Sequence, residues 1–246
     1  MTQSPVILVT GGAGFIGSHL VERLLADGCR VRVIDDLSTG RLENLTAPLK
    51  DPRLDFVEAK VSECAQLPRL ADEADFIFHL AAAVGVDLVV RTPIRTISTN
   101  LDETESILKV ASRRRVPLLV ASTSEVYGKS TKEAFAEDDD LLIGPSYLSR
   151  WSYACSKLTD EFLAFAYSRE AQVPVTVTRL FNTVGPRQTG RYGMVLPRFI
   201  EAAKTGRNLT VFGDGTQTRC FCDVSDIVEA LVRLCRCPAA RGEIVN

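Results

Sequence analysis

Val6-Ile7-Leu8-Val9-Thr10-Gly11-Gly12-Ala13-Gly14-Phe15-Ile16-Gly17 opens the chain's first regular structure. Its apolar, β-branched start reads as a strand buried on both faces. Glycines then permit a tight turn, close approach of an anion and close helix–strand packing. Ser18-His19-Leu20-Val21-Glu22-Arg23-Leu24-Leu25 continues as an amphipathic helix whose first N–H groups face the turn. Such a turn can also serve packing alone, so its neighbours matter. The next strand, Arg30-Val31-Arg32-Val33-Ile34, ends in Asp35-Asp36, and Asp35 stands 18 residues beyond Gly17. An acid there accepts hydrogen bonds from the hydroxyls of an adenosine ribose and repels a 2′-phosphate, so the sequence predicts NAD rather than NADP.

Working outward, apolar bursts alternate with helical periodicity. Strands are expected near 6–10, 30–34, 54–57, 76–80, 117–122 and 173–178, and helices near 15–27, 94–114, 153–170 and 195–205. This alternation predicts an α/β fold of the Rossmann type, a doubly wound parallel sheet. The predicted organisation is a dinucleotide-binding domain over 1–178, followed by a partial substrate lobe over 179–246 with a strand and helix returning to the main domain. No internal repeat or low-complexity linker interrupts it. Asp138-Asp139-Asp140 reads as a solvated loop before a turn at Gly144-Pro145.

Composition narrows the function. The chain has 246 residues, 29 basic and 31 acidic, and its basic run Arg113-Arg114-Arg115 falls where it suits a helix C-terminus. Nucleic acid is therefore not expected as a partner. No apolar run is long enough to cross a bilayer, and Met1-Thr2-Gln3-Ser4-Pro5 does not read as a signal peptide, so a cytoplasmic protein is expected. Seven scattered cysteines suit a reducing compartment. Cys220-x-Cys222 and Cys235-x-Cys237 lack the spacing of common zinc sites, and no metal is expected. His79, inside Phe76-Ile77-Phe78-His79-Leu80, reads as structural.

Chemistry-bearing residues recur where strands end. Leu80-Ala81-Ala82-Ala83 supplies small side chains at the carboxyl edge of the fourth strand, where ligands bind in such sheets. Asn100, in a helical segment, either hydrogen-bonds a strand end or is exposed. The fifth strand empties into Ser122-Thr123-Ser124-Glu125-Val126-Tyr127-Gly128, a hydroxyl cluster with a carboxylate. Tyr153 and Lys157 share one helix face, about one turn apart. A tyrosine of pKa about 10 is a weak base near neutrality. The Lys157 ammonium and a positive nicotinamide would favour the phenolate, and a three-unit drop needs about 4 kcal/mol. Tyr153 and Lys157 are thus the expected acid/base pair.

Together GGAGFIG, Asp35, HLAA, STSEVYG, YACSK, RLFNTVGPR and GDGTQTRCF resemble the extended short-chain dehydrogenase/reductases, in their branch of NAD-dependent nucleotide-sugar epimerases, dehydratases and decarboxylases. The resemblance implies that Gly11, Gly14 and Gly17, with Phe15 and Ile16, hold a pyrophosphate and Asp35 the adenosine ribose. Leu80, Ala81, Ala82 and Asn100 also belong to the implied cofactor site. Tyr153 and Lys157 would hold the nicotinamide ribose and the reacting sugar hydroxyl. Thr123 and Ser124 would face the sugar, and Asn182 and Arg219 the diphosphate of a nucleotide sugar, a UDP-linked one. The implied chemistry is oxidation at carbon 4, giving a 4-keto sugar. The implied assembly is a homodimer pairing the helices near 94–114 and 153–170.

The step after oxidation differs between members of the branch. Glu125, two residues past Thr123, gives the site a carboxylate that a 4-epimerase does not need. Thr123-Ser124-Glu125, Arg150-Trp151-x-Tyr153-x-x-Ser156-Lys157 and Arg219-Cys220-Phe221 resemble UDP-glucuronate decarboxylases. Asn182-Thr183-Val184-Gly185-Pro186-Arg187-Gln188-Thr189-Gly190, with Tyr192-Gly193-Met194-Val195, resembles UDP-glucose 4-epimerase relatives. The sequence favours the decarboxylase, with a UDP-glucose or UDP-glucuronate 4-epimerase as the alternative. A 4,6-dehydratase and a catalytically silent NAD-binding protein are further readings. Two departures stand out. Lys60 occupies the place after the third strand where relatives put an aspartate against the adenine. The chain also stops at Gly242-Glu243-Ile244-Val245-Asn246, where relatives continue, so a C-terminally truncated lobe is expected.

Overall fold

Strand β1 (Val6–Thr10) lies inside the sheet, with four of its five residues buried. The computed structural model describes residues 4–83, 92–189 and 194–246. After β1 come α1 (Phe15–Ala26), β2 (Arg30–Asp35), β3 (Leu54–Glu58), α2 (Leu67–Glu73), β4 (Phe76–His79) and α3 (Pro93–Arg114). Then come β5 (Leu118–Thr123), α4 (Ser152–Glu170), β6 (Val175–Leu180) and β7 (Thr183–Val184). The described chain closes with α5 (Val195–Lys204), β8 (Cys222–Asp223), α6 (Val224–Cys235) and β9 (Ile244–Val245).

Seven strands form one parallel sheet in the order β3-β2-β1-β4-β5-β6-β9, and β7 pairs with β8 separately. The chain runs outward from β1 to β3 and then returns to β4 on β1's other side. That reversal opens a crevice at the strands' carboxyl ends. Alternation along the strands feeds two cores. Leu8, Ile34, Ile77, Leu118 and Val177 pack with Leu70, Ile107 and Ala164 of α2, α3 and α4. Val9, Val33 and Phe78 pack on the other face with Leu20 and Leu24 of α1 and Val228 and Leu231 of α6. Each fully buried aliphatic side chain contributes about 1.5–3 kcal/mol.

The six strands and four helices expected from the pattern are all present, within about two residues at their ends. Helix α2 escapes the periodicity because it has only seven residues and carries Pro68 in its first turn, where proline is tolerated but reads as a breaker. Strand β6 runs to Leu180, past the expected boundary at 178. Helix α6 packs on α1 through the second core, and β9 extends the sheet beside β6. Arg113 and Arg114 do occupy the last turn of α3, and Arg115 beyond it adopts a left-handed conformation. Among the described residues no helix is long and apolar enough to cross a membrane.

Candidate active site and cofactor cleft

The turn after β1 is shaped by close approach. Gly11 has φ +72°, and a Cβ there would sit 2.8 Å from the backbone N of Ala81, where β4 exits. A Cβ on Gly17 would fall 2.1 Å from the Gly11 carbonyl oxygen, so this glycine lets α1 pack directly on the turn. Gly14 caps α1 without a side-chain acceptor, which leaves the first-turn amides to meet an anion. Asp35 is buried at the end of β2, its Oδ2 accepting from Ala13 N (2.9 Å) and its Oδ1 from Leu37 N (2.8 Å). Burial raises the Asp35 carboxyl above its ordinary range, those two backbone bonds lower it, and Asp36 raises it again. Each carboxylate oxygen keeps lone-pair capacity for a ribose hydroxyl. Glycine cradle, open helix terminus and acid together fit a dinucleotide.

A cleft of about 1120 Å³ runs along this edge of the sheet. Neighbouring parallel strands are about 4.8 Å apart, so the exits of β3, β2, β1, β4, β5 and β6 span roughly 24 Å. The cradle residues Gly11, Gly14, Phe15, Ile16 and Gly17 line it with Asp35, and Leu80, Ala81 and Ala82 line it at the β4 exit. Thr123, Ser124 and Glu125 face it after β5, and Tyr153 and Lys157 face it from α4. Asn182 and Arg219 line it beyond β6. There Asn182 Nδ2 donates to Cys220 O (2.9 Å), and exposed Arg219 donates to its neighbour Thr218 O (2.6 Å). Gly190, Tyr192 and Gly193 lie outside the described residues.

Asn100 is the one expected cofactor residue that does not line the cleft. It is neither exposed nor open to a ligand. Buried on α3, its Oδ1 accepts from Ala83 N (2.7 Å) and its Nδ2 donates to Ser156 Oγ (3.0 Å), tying the β4 exit to α4. His79 is equally structural. Its Nδ1 lies 2.8 Å from Thr10 Oγ1 and its Nε2 3.2 Å from Thr104 Oγ1, and burial, with Lys157 nearby, lowers its pKa to about 3. Ala81 N donates to Thr10 Oγ1 (3.3 Å), so that hydroxyl's proton is free to point at Nδ1 of a neutral imidazole.

The acid/base pair differs from expectation in its electrostatics. Lys157 Nζ pairs with Asp160 Oδ2 at 2.8 Å, with both side chains almost wholly buried. Burial raises the Asp160 carboxyl, while Lys157 and Thr104 lower it. The Tyr153 phenol is raised well above its ordinary value by desolvation, then by Glu125 and Asp160. The expected shift toward phenolate is thus reversed in the chain by itself, chiefly because the phenol is desolvated, with Glu125 and Asp160 adding to the effect. Glu125 is open to the cleft yet hemmed by its walls; desolvation raises its carboxyl and Arg150 lowers it. Thr123 Oγ1 accepts from Glu125 N (3.2 Å), so the threonine also caps the turn that presents the carboxylate.

Four further residues stand in the cleft wall or behind it. Asp160 and Glu161 come three and four positions after Lys157, a same-face spacing that could have flagged them. Glu161 pairs with Arg179 of β6 (2.8 Å) and accepts from Ser122 Oγ. Glu103 of α3 lines the cleft, its Oε2 accepting from Val61 N (2.7 Å) and its Oε1 from Ser62 Oγ (2.8 Å). No local spacing announces that contact, because the partners are 42 and 41 residues apart. Lys60 lines the same end and pairs with Glu63 (2.5 Å). Among the described residues no group of three or more histidine, cysteine or acidic side chains is arranged to hold a metal.

Comparison with known proteins places the chain in a family. The model of the NAD dependent epimerase/dehydratase family matches residues 7–246. UDP-N-acetyl-alpha-D-glucosaminuronate decarboxylase of Bacillus cytotoxicus is 43% identical over 243 residues, 97% of this chain and 73% of that protein. UDP-glucuronic acid decarboxylase 4 of Arabidopsis thaliana is 41% identical over 228 residues; the match covers 93% of this chain but only 50% of the plant protein's length. The solved UDP-glucuronic acid 4-epimerase of Bacillus cereus, in complex with UDP-glucuronic acid and NAD, superposes with a TM-score of 0.87 at 31% identity, over 98% of this chain and 76% of that one.

Proposed function

The chain belongs to the NAD-dependent epimerase/dehydratase family, and from that premise we propose that it decarboxylates a UDP-linked hexuronic acid through a 4-keto intermediate. The observation that carries the reading is the placement of Thr123, Ser124 and Glu125 in one cleft with Tyr153 and Lys157. Similarity to decarboxylases of UDP-glucuronate and of its 2-acetamido counterpart supports the same substrate class.

Bound NAD supplies the acceptor for hydride from carbon 4. The chain's residues then have separate tasks. Thr123 hydrogen-bonds the 4-hydroxyl, and Tyr153 takes its proton when the positive nicotinamide ring lies beside it to favour the phenolate. The ketone at carbon 4 stands β to the carboxylate on carbon 5, so carbon dioxide leaves with the C–C electron pair moving into an enolate. A proton must then return to carbon 5, and Glu125, which lines the cleft and whose carboxyl is raised, is assigned as its donor. Arg150 supplies the cation opposite Glu125. Asn182 and Arg219 hold the diphosphate. The reading extends to a cytoplasmic homodimer formed by α3 and α4, supported by the exposure of Ile94, Ile97 and Phe162 on these helices.

Proton NMR of the purified protein with NAD and UDP-glucuronate, and separately with UDP-N-acetylglucosaminuronate, tests the reaction. Loss of the carbon-6 carboxylate, giving a UDP-pentose or its 4-keto form, is the expected result. The second reading, 4-epimerisation, is favoured by the likeness to the epimerase complex that holds UDP-glucuronic acid and NAD. It would appear as an inverted carbon 4 with all six carbons retained. Retention of every substrate, despite NAD binding, would leave a catalytically silent NAD-binding protein.

A further inference from the structure

The end of the cleft beyond Asp35 has an unusual wall. A dinucleotide whose pyrophosphate meets α1 and whose ribose meets Asp35 must place its adenine still further out, at the β3 exit, where Ala59, Lys60, Val61 and Glu103 line the cleft. Two backbone donors there are already used. Val61 N donates to Glu103 Oε2 at 2.7 Å, and Ser62 donates to Oε1 through both its hydroxyl (2.8 Å) and its N–H (3.4 Å). Lys60 is an ammonium, which has donors and no acceptor, and it is paired outward with Glu63. What this wall offers a base is the one lone pair left, on Oε2, of a carboxylate that three donors hold in place. Glu103 is only 4% exposed, yet it borders the cleft.

We propose that Glu103 reads the exocyclic amine of the cofactor's adenine, accepting its hydrogen bond from α3. The inference rests on the cleft's binding NAD. It makes Glu103 a specificity residue, because an amine donates to a carboxylate whereas a carbonyl at the same ring position would face that lone pair. Lys60 adds no acceptor at the β3 exit; Glu103 is among the groups that raise its ammonium's pKa, after Glu63 and Asp36. Burial, with Asp36, raises the Glu103 carboxyl above its ordinary range, against the lowering effect of the Ser62 and Val61 bonds.

Isothermal titration of the wild-type protein with NAD and with its hypoxanthine analogue, in which a carbonyl replaces the amine, tests this. The wild type should prefer NAD by about tenfold or more, the value of one hydrogen bond to a charged acceptor. Glu103→Ala should bring the two affinities within about threefold of each other, and Glu103→Gln, which keeps the volume, should lower the preference part-way. A carboxylate that merely tethers the β3 exit gives another pattern: both affinities fall together and the ratio is unchanged, which overturns the proposal. Equal binding of the two dinucleotides by the wild type overturns it too. Absence of any NAD binding by the wild type would instead bring down the dinucleotide reading and this inference with it.

Discussion

Glu161→Gln probes the buried ion pair behind the catalytic strand. Glu161 and Arg179 have side chains 4% and 3% exposed. Arg179 Nε donates to Oε1 (3.1 Å) and Oε2 (3.3 Å), Nη2 donates to Oε2 (2.8 Å), and Ser122 Oγ adds a further donor to Oε1. Arg179 Nη1 reaches the Tyr127 hydroxyl (2.9 Å) and Glu137 O (3.1 Å), and its Cζ lies 4.9 Å from the centre of the Tyr127 ring. Glutamine keeps the shape but turns one acceptor into a donor facing a guanidinium that has no other anion among these partners. Removing one member of a buried pair costs about 3–5 kcal/mol. In a chain of this size each kcal/mol is worth about 2–4 °C, so the melting temperature should fall by about 6–20 °C. Urea and thermal unfolding of Glu161→Gln, Arg179→Met and a Glu161→Leu/Arg179→Met double variant measure this. The double variant should cost far less than the two single changes summed, because no charge is stranded. Raising the salt should leave the loss unchanged. A single variant within about 1 kcal/mol of wild type, or strict additivity, would refute the reasoning.

Three other outcomes are expected at the site. Tyr153→Phe should abolish turnover in the NMR assay while leaving NAD affinity within about threefold, since it removes a proton acceptor and little binding surface; normal turnover would remove Tyr153 from the mechanism. Asp35→Ala should shift the NAD-to-NADP affinity ratio toward NADP by about tenfold or more, because the acid that repels the 2′-phosphate is gone. An unchanged ratio counts against that role. His79 has a pKa of about 3 in the fold against about 6.5 unfolded, so between these values the unfolded chain binds a proton that the native one refuses. Its share of the stability is whole above pH 6.5, weaker by about 2 kcal/mol at pH 5, and lost further as the pH approaches 3. The carboxylates whose pKa is raised act in the opposite sense, so the difference between wild type and His79→Asn in urea unfolding isolates the histidine: the variant should lack this component of the acid loss.

The sequence alone determined the order of elements, the glycine cradle, the acid after β2 and the hydroxyl and Tyr-Lys motifs, because each is written in neighbouring residues. Strand and helix periods are local, and so are the steric demands of Gly11 and Gly17. Two-residue strands and the seven-residue α2 fall below the length at which a period can be seen, and tertiary packing supports them. The site divides in the same way. Tyr153 and Lys157 announce themselves by spacing, but the sequence could not say that burial, with Glu125 and Asp160, would leave the phenol raised or that Asp160 would pair with the lysine, since both depend on the surrounding fold. Asn100 is a polar helix residue until α3 packs against the β4 exit, which takes its amide out of the cofactor site and makes it a brace. Glu103 is an ordinary helix glutamate until the β3 exit folds over it. Local patterns set the backbone and name the chemistry. Which carboxylate faces a ligand, and in which protonation state, is decided by residues some 40 positions away brought into contact, and only the tertiary structure decides that.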